Sequence, residues 1–126
     1  MRYLLDSTFA IDFLRSVPAA LLRFDRLVSN GDEPFVNDVV VCELATGART
    51  EDARGLGAFI RAVEFVQPGP AVAELAGRWR GEARRRGLTI SVPDALIAAT
   101  ADGLGATLLT RNLRDFGPLP VAVEDY

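Results

Sequence analysis

Short aliphatic runs alternate with longer segments of helical periodicity along the whole chain, and this alternation restricts the fold more than any other feature of the sequence. Arg2 to Leu5 reads as a buried strand that stops at Asp6, after which Ser7-Thr8 opens a helix. Pro34-Phe35-Val36, Glu64 to Gln67, Ala106 to Leu109 and Val121 to Val123 read as further short strands. Between them, Leu21, Leu22, Phe24, Leu27 and Val28 keep helical spacing from Pro18 to Ser29, and Asn30-Gly31 supplies the stop. Asn37 or Asp38 caps a helix that runs through Val41, Leu44 and Ala45 toward Gly47. Amphipathic helices are expected from Glu51 to Val63 and from Ala71 to Arg86. The second places Val72, Leu75, Ala76, Trp79 and Ala83 on one face and arginines on the other. Asp94 to Ala101 is apolar on nearly every side and is expected to be a buried helix.

Strands that alternate with helices imply an α/β fold of three layers, with a central, mostly parallel sheet of four or five short strands flanked by helices. A length of 126 residues suits one domain spanning the chain, and a 49% apolar content is enough for one core. In such sheets ligands gather outside the carboxyl ends of the strands. Asp6 stands there after the first strand, Glu43 about one helical turn past the second, and Thr110-Arg111-Asn112 directly after Ala106 to Leu109. Asp94 follows Pro93, a common first-turn residue, so its carboxylate belongs at the positive end of a buried helix.

Missing residue types narrow the chemistry. The chain has no histidine, which excludes histidine general bases, Ser/His/Asp and Cys/His nucleophiles, and imidazole metal sites. It has no lysine either, which excludes a phosphate-loop lysine and Schiff-base chemistry; all 14 cations are arginine. Asp6 resembles the nucleophile of an aspartyl phosphatase, but Thr8 replaces the partner acid two residues on, and that enzyme and a phospho-receiver domain both need the absent lysine. The net charge of -3 argues against nonspecific coating of nucleic acid, though local arginine clusters remain able to bind phosphate. Asp94, Thr100 and Asp102 interrupt the longest apolar stretch, so no run approaches the roughly 20 residues of a membrane span. The opening residues lack the apolar core of a secretory signal, and the lone Cys42 fits a reducing compartment; a cytoplasmic location is expected.

Carboxylates gathered within about 5 Å repel by about 3 kcal/mol per pair at an effective dielectric near 20, so such a cluster calls for a cation. A hard divalent ion, magnesium or manganese, suits an all-oxygen shell and keeps several waters. Structural roles compete for each residue. Asp6 and Asp94 suit helix caps, Glu43 an exposed helix position and Asp115 a turn before Phe116, while Asn112 either binds a metal-bound water or stabilises a turn, and Thr8 and Thr110 either orient a water or close turns. Cys42 reads as a small core residue and Trp79 as core. Arg84-Arg85-Arg86 reads as a solvated helix end, whereas Arg111 and Arg114 lie beside the acids, within reach of a phosphate or a partner carboxylate. The Leu21, Leu22 and Phe24 face and the Gly55 to Phe59 region suit either core or a partner surface.

Four segments carry a resemblance. Asp6-Ser7-Thr8 after an opening strand, Glu43-Leu44 with Gly47, Ile90 leading to the Asp94 to Ala101 run, and Leu109 to Phe116 resemble the PIN domains of VapC toxins in order and spacing. The resemblance implies a PIN fold, cleavage of RNA that depends on magnesium or manganese, a homodimer, and a VapB-like antitoxin that joins it in a hetero-oligomer. It also implies Asp6, Glu43 and Asp94 as the first three acids of the site. The fourth place falls to Asp115, or to a site of three acids with neutral Asn112, since some relatives carry aspartate where this chain has Asn112. A PIN nuclease of RNA maturation or quality control, and a noncatalytic RNA-binding PIN module, fit the same acids.

Overall fold

The computed structural model describes residues 1–49 and 52–126. Five parallel strands form the sheet: β1 (Arg2–Leu5), β2 (Glu33–Asn37), β3 (Glu64–Val66), β4 (Thr107–Leu109) and β5 (Val123–Glu124). The helices are α1 (Ser7–Leu14), α2 (Pro18–Ser29), α3 (Asp38–Gly47), α4 (Ala53–Ala62), α5 (Pro70–Arg85), α6 (Val92–Leu104) and α7 (Leu113–Phe116). The expected start of the fourth helix at Glu51 lies outside the described residues. No helix among the described residues is long and apolar enough to cross a membrane.

Strand order is β3-β2-β1-β4-β5, so the chain builds outward from β1 on one side and then returns to build the other. Leu4 pairs with Phe35 on one flank and Leu108 on the other. Leu4, Leu5, Leu108 and Leu109 are fully buried, as expected of central parallel strands covered on both faces. The order reverses between β1 and β4, and a crevice opens at such a reversal. Asp6 and Thr110 are the first residues past the carboxyl ends of those two strands. α6 packs against β1 and β4 and is itself covered by α5, while α2 and α3 pack on β2.

Local chemistry accounts for the helix ends nearest the crevice. Asn37 caps α3 by accepting from the Val40 amide at 3.0 Å, and Ser91 caps α6 by accepting from the Asp94 amide at 3.2 Å. Gly105 ends α6 with φ 63°, the left-handed region where glycine carries no Cβ penalty, and β4 begins two residues later. Trp79 is buried as expected, and Ala95 and Ile97 to Ala101 make α6 the buried helix its composition implied.

Two expectations need correction, at Cys42 and at the last strand, and one open reading is decided. Leu22 and Val28 are 63% and 61% exposed, because α2 turns Ala20, Arg23 and Leu27 inward, so Leu22 is surface and not core. Burial of Arg23 is compensated by an ion pair to Glu124 at 2.6 Å and by stacking over the Tyr3 ring at 4.9 Å. Cys42 is exposed, since Val40 and Leu44 one turn apart take the inward face of α3. The last strand lies at Val123–Glu124, not 121–123, because Leu108 and Leu109 pair with those two residues.

Candidate active site

Asp6 sits at the N-cap position of α1, yet its side chain makes no capping hydrogen bond. It is buried, and its Oδ2 accepts from the Thr8 hydroxyl at 2.9 Å and the Thr110 hydroxyl at 2.7 Å. Each hydroxyl has one proton, so with both protons on Oδ2 the 3.2 Å approach between Thr8 and Thr110 is a contact and not a further bond. Backbone amides complete the pair: Arg111 donates to Thr8 Oγ1 at 3.3 Å and Asn112 to Thr110 Oγ1 at 2.9 Å. Loop 110–112 is thereby tied to the start of α1 through Asp6. The structure thus gives Thr8 and Thr110 a direct role in holding an acid, beyond turn closure.

Ser7 links the second acid. Its hydroxyl lies 2.9 Å from Glu43 Oε1 and 3.3 Å from Asp6 Oδ1, and its single proton is best placed toward Glu43. Oδ1 of Asp6 is therefore the oxygen that the hydroxyls leave freest. Ser7 carried no separate signal in the sequence, because a serine after a strand-end acid reads as an ordinary helix opening. Glu43 also enters the wall of a cleft of about 250 Å³ between α1, α3 and α4, with Ile11, Leu44, Gly55 and Leu56 as apolar neighbours.

Asp94 occupies the first turn of α6. Burial pushes its pKa above the ordinary 3.8, the Ser91 hydrogen bond opposes this, and the negative charges of Asp6, Asp115 and Glu43 raise it further. The four acids expected from the sequence therefore share one electrostatic neighbourhood, although they come from four separate segments. Asp115 is exposed and accepts from the Asn112 side chain at 2.7 Å. The two candidates for the fourth place form one unit, with Asn112 orienting Asp115.

A fifth acid escaped the sequence reading. Asp12, buried on α1, accepts from the Tyr126 hydroxyl at 2.6 Å and pairs with the Arg111 guanidinium at 3.3 Å. Burial, and then the bond to Asp12, push the Tyr126 phenol well above its usual range. Tyr126 packs edge-on against Phe9 at 4.8 Å. Arg111 is thus held beside the site by a partner 99 positions earlier in the chain, a pairing that no local pattern reveals. Arg114 is exposed on α7.

The donor set is all oxygen, which fits a hard divalent ion. Among the described residues no three carboxylates stand close enough to enclose an ion by themselves. Magnesium keeps several waters and needs only one or two protein carboxylates, so this spacing suits it.

Residues 3–117 match the PIN domain family. The chain belongs to that family. Among its relatives, ribonuclease VapC19 of Mycobacterium tuberculosis is 38% identical over 98% of both chains. The tRNA(fMet)-specific endonuclease VapC of Salmonella typhimurium is 26% identical over 100% of this chain and 98% of its own. In three dimensions, this PIN domain superposes on a chain of the Rickettsia felis VapBC2 complex with promoter DNA at a TM-score of 0.90, covering 100% and 99% of the two chains. Identity there is 23%, so the likeness shows the shared fold. The VapBC complex of Salmonella typhimurium gives a TM-score of 0.88 at 24% identity, covering 99% and 98%.

Proposed function

We propose that this PIN domain is an endoribonuclease dependent on magnesium or manganese, and the toxin of a VapBC-type pair. The observation that carries the reading is the hydrogen-bonded set at the switch point of the sheet, where Ser7 joins Asp6 to Glu43 and Thr110 joins Asp6 to the Asn112–Asp115 pair, with Asp94 in their field, in a chain without histidine or lysine. Asp6, Glu43, Asp94 and Asp115 would hold the ion and its waters. When bound, such an ion supplies an acidified water and a countercharge for cleavage of a phosphodiester.

The chain's own groups prepare the site. Thr8 and Thr110 fix Asp6 through Oδ2 and leave Oδ1 with only the longer Ser7 contact at 3.3 Å. Ser7 fixes Glu43, and Asn112 fixes Asp115. The α6 N-terminus adds its positive dipole end beside Asp94. Relatives named as ribonucleases and as a tRNA(fMet)-specific endonuclease support RNA as the substrate. Structural neighbours that are VapBC complexes support a cognate antitoxin, and the cleft between α1, α3 and α4, with Gly55 and Leu56 in its wall, is a suitable place for one. Assembly as a homodimer and a cytoplasmic location complete the proposal.

The test is cleavage of cellular RNA by the purified protein, followed by sequencing of the new ends. Cuts at defined positions are expected with magnesium or manganese and none in excess chelator. Full cleavage in chelator would refute the metal requirement. Absence of any cleavage beyond that of Asp94→Asn would refute the nuclease reading.

A further inference from the structure

The last turn of α5 runs into three consecutive arginines, Arg84, Arg85 and Arg86, all exposed. Among the described residues none of the three has an acidic partner within ion-pair distance. Arg85 and Arg86, with Glu82, form one wall of an open trough of about 560 Å³; Pro118, Leu119 and Pro120 form the other.

Both walls connect to the acidic site. Pro118 lies three residues after Asp115, which limits their separation to about 11 Å along the chain. The Leu119 amide donates to the Phe116 carbonyl at 3.0 Å, which folds this segment back onto α7. On the other side, α5 packs along α6, and Arg80 Nε donates to the Ile90 carbonyl at 2.9 Å, four residues before Asp94. One end of the trough, at Pro118, therefore stands within about 11 Å of Asp115.

Its chemistry is the reverse of theirs. A polyanion led to four carboxylates on a chain of net charge -3 is repelled unless positive charge stands close by. Two guanidinium forks against one carboxylate supply it. Arginine binds phosphate oxygens in bidentate fashion, and its plane also accepts a stacked base, while the proline and leucine side chains offer an apolar wall. Resting on the ribonuclease reading, we propose that this trough holds the single-stranded RNA that flanks the scissile phosphate, with Arg85 and Arg86 each on one phosphate. The helix end that reads as merely solvated in the sequence is then part of the substrate track.

The test compares wild type with an Arg85→Ala/Arg86→Ala double variant on a long single-stranded RNA and on a dinucleotide. On the long RNA, KM should rise about tenfold with kcat unchanged, and the salt dependence of binding should become shallower by about 1.4 in log–log slope, the value for two phosphates on a single strand. Cleavage of the dinucleotide should not change. An Arg85→Lys/Arg86→Lys variant should keep the salt slope. Equal KM and slope for wild type and double variant would overturn the proposal. So would an equal loss on both substrates, or a change of oligomeric state or of antitoxin binding in place of the RNA effect. Because RNA binding is measured without turnover, a wild type that binds with the steeper slope but cleaves nothing would reject the nuclease reading and uphold the trough.

Discussion

Asp6 and Asp12 bracket the first half of α1, both buried, and they are accommodated in opposite ways. Asp12 meets a full countercharge in Arg111 and a strong donor in Tyr126, so its burial is balanced within the protein. Asp6 meets hydroxyls only, shares Ser7 with Glu43, and its charge acts on Asp94. Removing a charge from water is costly unless a partner replaces the water. A buried acid with its own cation is finished as part of the fold; Asp6, with neutral donors only, has no countercharge among the described residues.

The sharpest way to break this comparison is to neutralise each acid and measure RNA cleavage at saturating magnesium. Asp6→Asn should lose at least about 100-fold in rate, the lower range for loss of a group acting directly in catalysis. Asp12→Asn should stay within about tenfold of wild type, because Asp12 bonds Tyr126 and Arg111 and none of the groups that hold the four acids. Equal losses would place both acids in one class and dissolve the distinction.

Thr110→Val sharpens the same contrast, because it keeps the acid and removes the donor that orients it. Cleavage should fall about 10- to 100-fold, and the magnesium concentration for half-maximal rate should rise. A fall in rate at an unchanged magnesium requirement would mean that Thr110 acts on the fold of the loop and not on Asp6.

Stability without metal should separate the two acids by sign. Asp12→Ala should destabilise by about 1 kcal/mol in urea unfolding, since it removes the hydrogen bond from the part-buried Tyr126 hydroxyl; the Arg111 side chain is largely exposed and adds little. Asp6→Asn should melt slightly higher than wild type in chelator and gain less from magnesium, because only a native state that binds the ion is stabilised by it. If Asp6→Asn lowers stability in chelator and keeps the full magnesium effect, Asp6 is a structural residue.

The smallest effect concerns Asp94. Its folded pKa lies above 3.8, so between the unfolded and folded values the native state holds more protons than the unfolded state. Stability of the metal-free protein should therefore decline as pH rises through that window, and a higher plateau should return on acidification. Asp94→Asn should flatten that part of the profile. Melting curves of wild type and variant across the acidic range, in chelator, check the sign; parallel curves would remove Asp94 from the shared field.

Much of this molecule was legible from short-range pattern. Period-two and period-3.6 spacing depend on neighbours a few residues apart, so β1, α2, α5 and α6 emerge at or near their observed bounds, and the strand–helix alternation implies a parallel sheet. Asp6 and Asp94 were legible as candidates for a related reason, since one stands at a strand end and the other in the first turn of a helix, and Glu43 follows about one turn into the helix after β2.

Tertiary structure decided everything that depends on which distant groups meet. Strand order put β4 beside β1, and that alone brings the Thr110 hydroxyl to Asp6, 104 positions away. The inward turn of Arg23 depends on Glu124 and Tyr3, and so Leu22 and not Arg23 is left in solvent. Asp12 reads as the polar side of a helix until Tyr126 and Arg111 reach it. Sequence periodicity reports which face of an element is apolar, but a buried polar side chain is chosen by its partner, and partners far apart in the chain become neighbours only when the sheet is assembled.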